Sequence, residues 1–184
     1  MEVGSNEDLD TELLARMGRG EEAAFRALIA RKLPRIYALS LRLLGDSGEA
    51  DDVAQDAFLR SWRQARDWQP GQAQFDTWLH RVVLNLCYDC LRKRRETVVA
   101  DPPEQVDPSL PADQRLERDE AARRVQAALA KLPPRQREAI MLHTYQELSN
   151  VETARVLEIS VEALESLLSR ARRTLRSLLD GVEM

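Results

Sequence analysis

Glycine is scarce in this chain, seven in 184 residues, and strand-like alternation of polar and apolar residues is rare. Both absences argue against sheets and for an all-α fold. No apolar run approaches the roughly 18 residues that a membrane span requires, so no membrane insertion is expected. The opening "MEVGSNEDLDTELL" is acidic where a signal peptide would begin basic. Together these features predict a soluble, cytoplasmic protein. Cysteine is limited to Cys87 and Cys90, which supply no disulfide framework and suit a reducing compartment. The only histidines, His80 and His143, are far apart, and neither an HExxH motif nor a glycine-rich phosphate loop is present. An enzyme therefore has little support, and neither catalytic residues nor cofactors are expected.

What the chain has in quantity is helix surface: 43% hydrophobic residues, enough for real cores, and 32% charged ones. The formal net charge of -4 hides an uneven distribution. Arg92, Lys93, Arg94 and Arg95 form one basic block; Arg170, Arg172, Arg173 and Arg176 form another. Between them, "ETVVADPPEQVDPSLPADQRLERDE" is mainly acidic and carries Pro102, Pro103, Pro108 and Pro111. Proline lacks an amide donor and biases its predecessor to extended backbone, and a segment so poor in large apolar residues does not offset its ordering entropy. The expected organisation is two small helical domains, 1–95 and 115–184, joined by a Pro-rich acidic linker over 96–114.

In the first domain, "DSGEADDVAQDAFLRSWRQA" starts with Asp46 or Ser47 as a cap and places Glu49, Asp51 and Asp52 where the helix dipole favours acids. Val53, Ala54, Ala57, Phe58, Trp62 and Ala65 recur at helical spacing as the buried face, leaving Asp52, Gln55, Asp56, Leu59 and Arg60 outside. "QFDTWLHRVVLNLCYDCLRKRRE" follows a turn-forming loop, "DWQPGQAQ". Its apolar stripe is Phe75, Trp78, Leu79, Val82, Val83, Leu86, Cys90 and Leu91, and Arg81, Asn85, Tyr88 and Arg92 line the other face. Guanidinium, amide and phenol groups bind phosphates, hydrogen-bond base edges and stack on unpaired bases. His80, Cys87 and Cys90 share a helix flank, but a zinc site wants a fourth ligand and a looped CxxC turn. Buried or half-buried cysteine is the expectation, and no metal site.

The second domain reads as four helices. The first ends near Leu132, and Pro133 and Pro134 start the second, which runs from about Arg135 to Gln146. Ser149 caps the short helix "NVETARVL", "EIS" turns the chain, and Ser160 caps the last and longest helix. A short helix, a three- or four-residue turn and a long Arg-rich helix describe a helix-turn-helix. Leu164, Leu168, Ala171, Leu175 and Leu178 make the core stripe of the last helix. Glu162, Glu165, Ser166 and Ser169 are left to face a major groove, with the arginines behind them on the phosphates.

These residues, in this order from about Glu21 to Leu179, resemble a bacterial extracytoplasmic-function (group IV, sigma-E-like) sigma factor, a promoter-recognition subunit of RNA polymerase. "DDVAQDAFLRSW" resembles the segment that docks on the clamp helices of the beta-prime subunit. The resemblance implies that Asp52, Gln55, Asp56, Phe58 and Leu59 dock or pack the docking helix. "FDTWLHRVVLNLCYDCLRKRR" resembles the segment that melts DNA and reads the −10 element, implying Trp78, Arg81, Asn85, Tyr88 and Arg92. "LPPRQREAIMLHTYQELSNVETARVLEISVEALESLLSRARRTLR" resembles the domain that reads the −35 element and contacts the beta flap. That resemblance implies Ser160, Glu162, Glu165, Ser166, Ser169, Arg170, Arg172 and Arg173. The implied partners are core RNA polymerase, promoter DNA and an anti-sigma factor. Two departures stand out. Glu158 occupies a place where the family often has glycine, which predicts a turn of different backbone geometry. The usual Thr-Val-Lys-Ser-Arg of the recognition helix is Ala163, Leu164, Glu165, Ser166, Leu167, which alters the −35 sequence read. A free-standing helix-turn-helix regulator is the competing reading; its sensing domain should show strand patterns in the first half.

Overall fold

The computed structural model describes residues 3–69, 74–100 and 115–180. All regular structure among them is helical, and it divides into two compact units, Met1–Cys90 and Leu91–Met184. The first unit contains α1 (Val3–Gly18), α2 (Glu22–Leu44), α3 (Ser47–Gln64) and the start of α4 (Phe75–Ala100). Helix α4 thus continues through Ala100, past the expected linker start at Glu96, because no proline interrupts it before Pro102. The rest of the expected linker lies outside the described residues.

Helix α2 is the spine of the first unit and packs on both α1 and α3. Leu28, Ile36, Leu39 and Leu43 recur at helical spacing and are buried, and they hold α2 helical across Pro34, which removes one backbone hydrogen bond. Each such leucine contributes roughly 1.5–3 kcal/mol on burial, so this one face outweighs the proline. Lys32 lies in the same stripe. Its ammonium meets Asp10 of α1 at 2.5 Å and Asp76 of α4 at 2.6 Å, and Arg31 adds a 3.3 Å contact to Asp10. With side chains only 6% exposed at Asp10 and 9% at Lys32, these charges need each other.

The helix ends follow local chemistry. Gly45 closes α2 in the left-handed conformation, its amide bonding Leu41 O. Asp46 then caps α3, accepting from the Glu49 amide at 2.8 Å. Gly18 lies where α1 meets the end of α3: a Cβ there would stand 2.8 Å from Ala65 O. Glu21 fastens the α1–α2 turn, taking Arg16 at 2.8 Å and Arg19 at 2.9 Å. Those two hydrogen bonds, Arg16's first, hold its carboxyl below the usual range.

The second unit holds α5 (Arg115–Ala130), α6 (Pro134–Ile140), a π-helical turn (Met141–Tyr145), α7 (Asn150–Leu157) and α8 (Val161–Asp180). Helices α5, α6 and α7 each pack on α8, which buries Leu164, Leu168 and Ala171. Leu175 and Leu178, expected in the core stripe, are half-buried. Arg137 ties α5 to α6, donating to Ala130 O and, at 3.4 Å, to Leu132 O at the unpaired end of α5. The helix expected from Arg135 to Gln146 changes character after Ile140. Its Gln146 amide reaches five residues back to Met141 O, at 3.0 Å. The wider turn keeps Met141 and Gln146, five apart, both buried.

Candidate DNA and polymerase interface

Three exposed helix faces carry the groups singled out from sequence. On α3, Val53, Ala54, Ala57 and Phe58 turn inward, while Asp52, Gln55, Asp56, Leu59 and Arg60 are exposed. Phe58 is only 4% exposed, so it packs the helix rather than meeting a partner. Leu59, 41% exposed, is a large apolar group standing among acids. The inner side of α3 is also pinned by Trp62, whose ring lies 5.1 Å from that of Phe25 of α2.

On α4, Arg81, Asn85, Tyr88 and Arg92 fall on one stripe, with Asn85 and Arg92 exposed and Arg81 and Tyr88 half-buried. The buried face is rotated from the expected one: Thr77, His80, Leu84 and Cys87 are buried beside Phe75, Leu79, Val83 and Leu86, whereas Trp78, Val82, Cys90 and Leu91 are half-buried. Trp78 is half-buried in an aromatic group: it stacks on Phe75 at 5.7 Å and meets the Trp68 edge at 6.0 Å. Trp68 also contacts Phe75 edge to face at 5.5 Å. The three rings flank residues 70–73, half of the expected loop, which lie outside the described residues.

The candidate metal residues are otherwise employed. His80 Nδ1 lies 2.7 Å from Asp76 O one turn back. Burial pushes the Cys87 thiol up to about 12, with the Ser40 hydroxyl opposing. Cys90 is half-buried. Among the described residues no three metal-ligating side chains converge.

In the second unit, α7 and α8 are joined by Glu158, Ile159 and Ser160. Ser149 begins α7 with a reciprocal cap: its Oγ accepts from the Glu152 amide at 3.2 Å, and the Glu152 carboxylate accepts from the Ser149 amide at 2.8 Å. The exit is a Schellman motif. The Ile159 amide bonds Ala154 O at 3.1 Å and the Glu158 amide bonds Arg155 O at 3.3 Å. Glu158 has φ 56° and ψ 44°, the left-handed geometry that glycine serves in such turns. The expected change of turn geometry is thus absent; the glutamate is forced into it. Glu147 repeats the feature before α7, with φ 55°.

Ser160 is exposed, but its Oγ accepts from the Ala163 amide at 3.2 Å, so it caps α8. Glu162, Glu165, Ser166, Ser169, Arg170, Arg172 and Arg173 are all exposed. The Glu162 carboxyl is held below its ordinary range, first by its own backbone amide and then by the Ser160 hydroxyl. Glu165 Oε1 accepts from Asn150 Nδ2 of α7 at 3.4 Å, a link between the two helices that sequence reading missed. Arg170 Nε lies along the helix, donating to Ser166 O at 3.2 Å. Along the solvent side of α8 the order is therefore acids, serines, then arginines. A carboxylate accepts base amino groups and a guanidinium binds phosphate, so this face offers both base and backbone contacts.

Two helical units, the second a helix-turn-helix whose last helix is rich in arginine, describe a DNA-binding protein. Residues 28–97 match Sigma-70 region 2 and residues 122–175 match Sigma-70, region 4. The ECF RNA polymerase sigma factor SigM of Mycobacterium tuberculosis is 35% identical over 176 residues, covering 96% of this chain and 87% of SigM. The RNA polymerase sigma factor CnrH of Cupriavidus metallidurans is 35% identical, covering 95% of this chain and 96% of its own. The structure of CnrH in complex with the cytosolic domain of CnrY aligns at TM-score 0.75 over 95% of this chain and 99% of CnrH. The sigma factor RpoE of Bartonella quintana, solved with the anti-sigma factor NepR, aligns at 0.65 with 25% identity, over 87% of this chain and 98% of RpoE. The chain belongs to the extracytoplasmic-function sigma factors of RNA polymerase.

Proposed function

We propose that this sigma factor divides its work by unit. Residues 1–95 dock core polymerase and open the −10 element, and residues 115–184 read the −35 element, with 96–114 as the connection. The exposed Asp52, Gln55, Asp56 and Leu59 of α3 meet the beta-prime clamp helices, and Phe58 supports them from within. The Arg81, Asn85, Tyr88 and Arg92 stripe of α4, with Trp78, handles the melted −10 strand; stacking on exposed bases is worth about 1–3 kcal/mol per base. The arginines of α8 hold the −35 backbone, and the second unit also touches the beta flap. The observation that carries the reading is the presence of both matched regions in order in one chain, each with its polar face outward.

The protein acts in the cytoplasm, supports no catalytic chemistry and needs no cofactor. An anti-sigma factor holds it inactive, a reading supported by the relative RpoE having been solved with one. Reconstituted transcription tests the whole. Purified protein and bacterial core polymerase on a genomic promoter library should give discrete new start sites, lost on substitution of Gln55 and Asp56. If core polymerase neither binds the protein nor gains start sites, a free-standing helix-turn-helix regulator is the better description.

A further inference from the structure

Helix-turn-helix proteins read bases with the first turns of the second helix. In α8 those turns present two carboxylates, Glu162 and Glu165, with Ala163, Ser166 and Ser169 as small neighbours. The two carboxylates are not equivalent. Glu162 stands in the first turn, where its own backbone amide and the Ser160 hydroxyl hold its carboxyl below the ordinary range, beside the Ser160 Oγ that accepts from the Ala163 amide at 3.2 Å. Glu165 stands one turn further along, exposed, with a single long contact from the Asn150 amide at 3.4 Å. An ionised carboxylate offers about four lone-pair sites, so this contact orients the group without exhausting it.

We infer that Glu165 is the base-reading residue of α8. It accepts the exocyclic amino group of a cytosine in the −35 element, and Asn150 is its positioning residue. The inference rests on the −35 reading above and gives it a base. The chemistry is selective because a carboxylate has no proton to give. In the major groove cytosine presents an N4 donor at its edge, thymine an O4 acceptor, and guanine the N7 and O6 acceptors. Adenine pairs an N6 donor with an N7 acceptor, which suits an amide better than an acid. Glu162 is then a capping residue that reads nothing. Arg172, Arg173 and Arg176 lie two to three turns further on, so phosphate attraction and base selection sit on separate stretches of one helix.

The test uses full-length protein with core polymerase on duplex promoters whose −35 segment is randomised and whose −10 segment is fixed from a promoter already served. Transcript sequencing reads the preference at each position. The wild type should favour cytosine, on one strand, at one −35 position by on the order of tenfold or more. Glu165→Gln should move that position towards adenine and leave the others alone. Asn150→Ala should lower the cytosine preference without replacing it, and Glu162→Gln should change no base preference. If Glu165→Gln keeps the wild-type profile, or if Glu162→Gln alters it instead, the inference is overturned while −35 reading stands. If the wild type shows no −35 preference at all, the −35 reading itself fails, and the inference with it.

Discussion

The left-handed glutamate at the turn of the helix-turn-helix can be tested by relieving it. Glu158 has φ 56°, where a residue with a Cβ loses about 1–2 kcal/mol to steric crowding. Glycine escapes that cost but loses about 0.5–1 kcal/mol more conformational entropy on ordering. The net gain for Glu158→Gly is therefore about 1 kcal/mol. Glu158→Ala is the control, because it removes the same side-chain contacts yet keeps the crowded backbone. Hydrogen exchange of peptides covering α7 and α8 is the fitting assay, since Trp62, Trp68 and Trp78 all lie in the first unit and fluorescence reports only there. Against the alanine variant, the glycine variant should exchange about fivefold more slowly across α7 and α8, the factor equivalent to 1 kcal/mol at 25 °C. The fluorescence unfolding midpoint should be the same in both. Equal exchange in the two variants would refute the idea that this turn stores backbone strain.

Three further residues give expected outcomes. Lys32→Met leaves the buried Asp10 with only Arg31, at 3.3 Å, and should cost the first unit less than the full loss of a buried pair, at most about 3–5 kcal/mol in urea unfolding; adding Asp10→Leu should recover part of it. Cys87, its pKa pushed up to about 12, should resist iodoacetamide in the native protein at pH 8 and react only on unfolding, as peptide mapping would show. The same thiol sets a sign: the unfolded chain ionises it near 9.0, so its contribution is full below that pH and is lost as pH rises towards 12, a slope absent in Cys87→Ala. Ser149→Ala removes the α7 cap and should cost about 1 kcal/mol, seen as faster exchange at the start of α7.

Much of this fold was legible because local rules and tertiary packing agree. The α3 pattern of Val53, Ala54, Ala57 and Phe58 names its buried face outright, and Ser149 three residues before Glu152 announces a cap that forms on both sides. Sequence reading failed where packing or unusual backbone decides. Nothing in "QREAIMLHTYQ" distinguishes a continuous helix from one with a wider turn, since both place Ile140, Met141 and Leu142 inward. Glu158 suggested altered geometry because its intrinsic preference opposes the left-handed region, yet the surrounding hydrogen bonds impose it. The charge cluster around Lys32 did leave a signal: a lone lysine between Leu28 and Ile36 on an otherwise apolar stripe implies a buried counter-charge. Its partners, 22 residues upstream and 44 downstream, are set only by the tertiary fold.

The same contrast explains how an acidic chain handles DNA. Phosphate attraction scales with the cations near the backbone, not with net charge, and it falls with salt for each phosphate neutralised. On the proposed reading, the exposed Arg172, Arg173 and Arg176 supply such cations along the second half of α8, whereas Glu162 and Glu165 at its start work against indiscriminate phosphate binding. A helix built this way pays an electrostatic penalty wherever Glu165 finds no amino group to accept. It recovers that penalty only over a base that offers one. Glu165→Ala should therefore strengthen binding to unrelated duplex DNA while weakening discrimination among promoters. Electrophoretic mobility shifts of the full chain with core polymerase, on served and scrambled −35 segments, would show it. A loss of affinity for both DNAs alike would mean that the carboxylate holds structure and reads nothing.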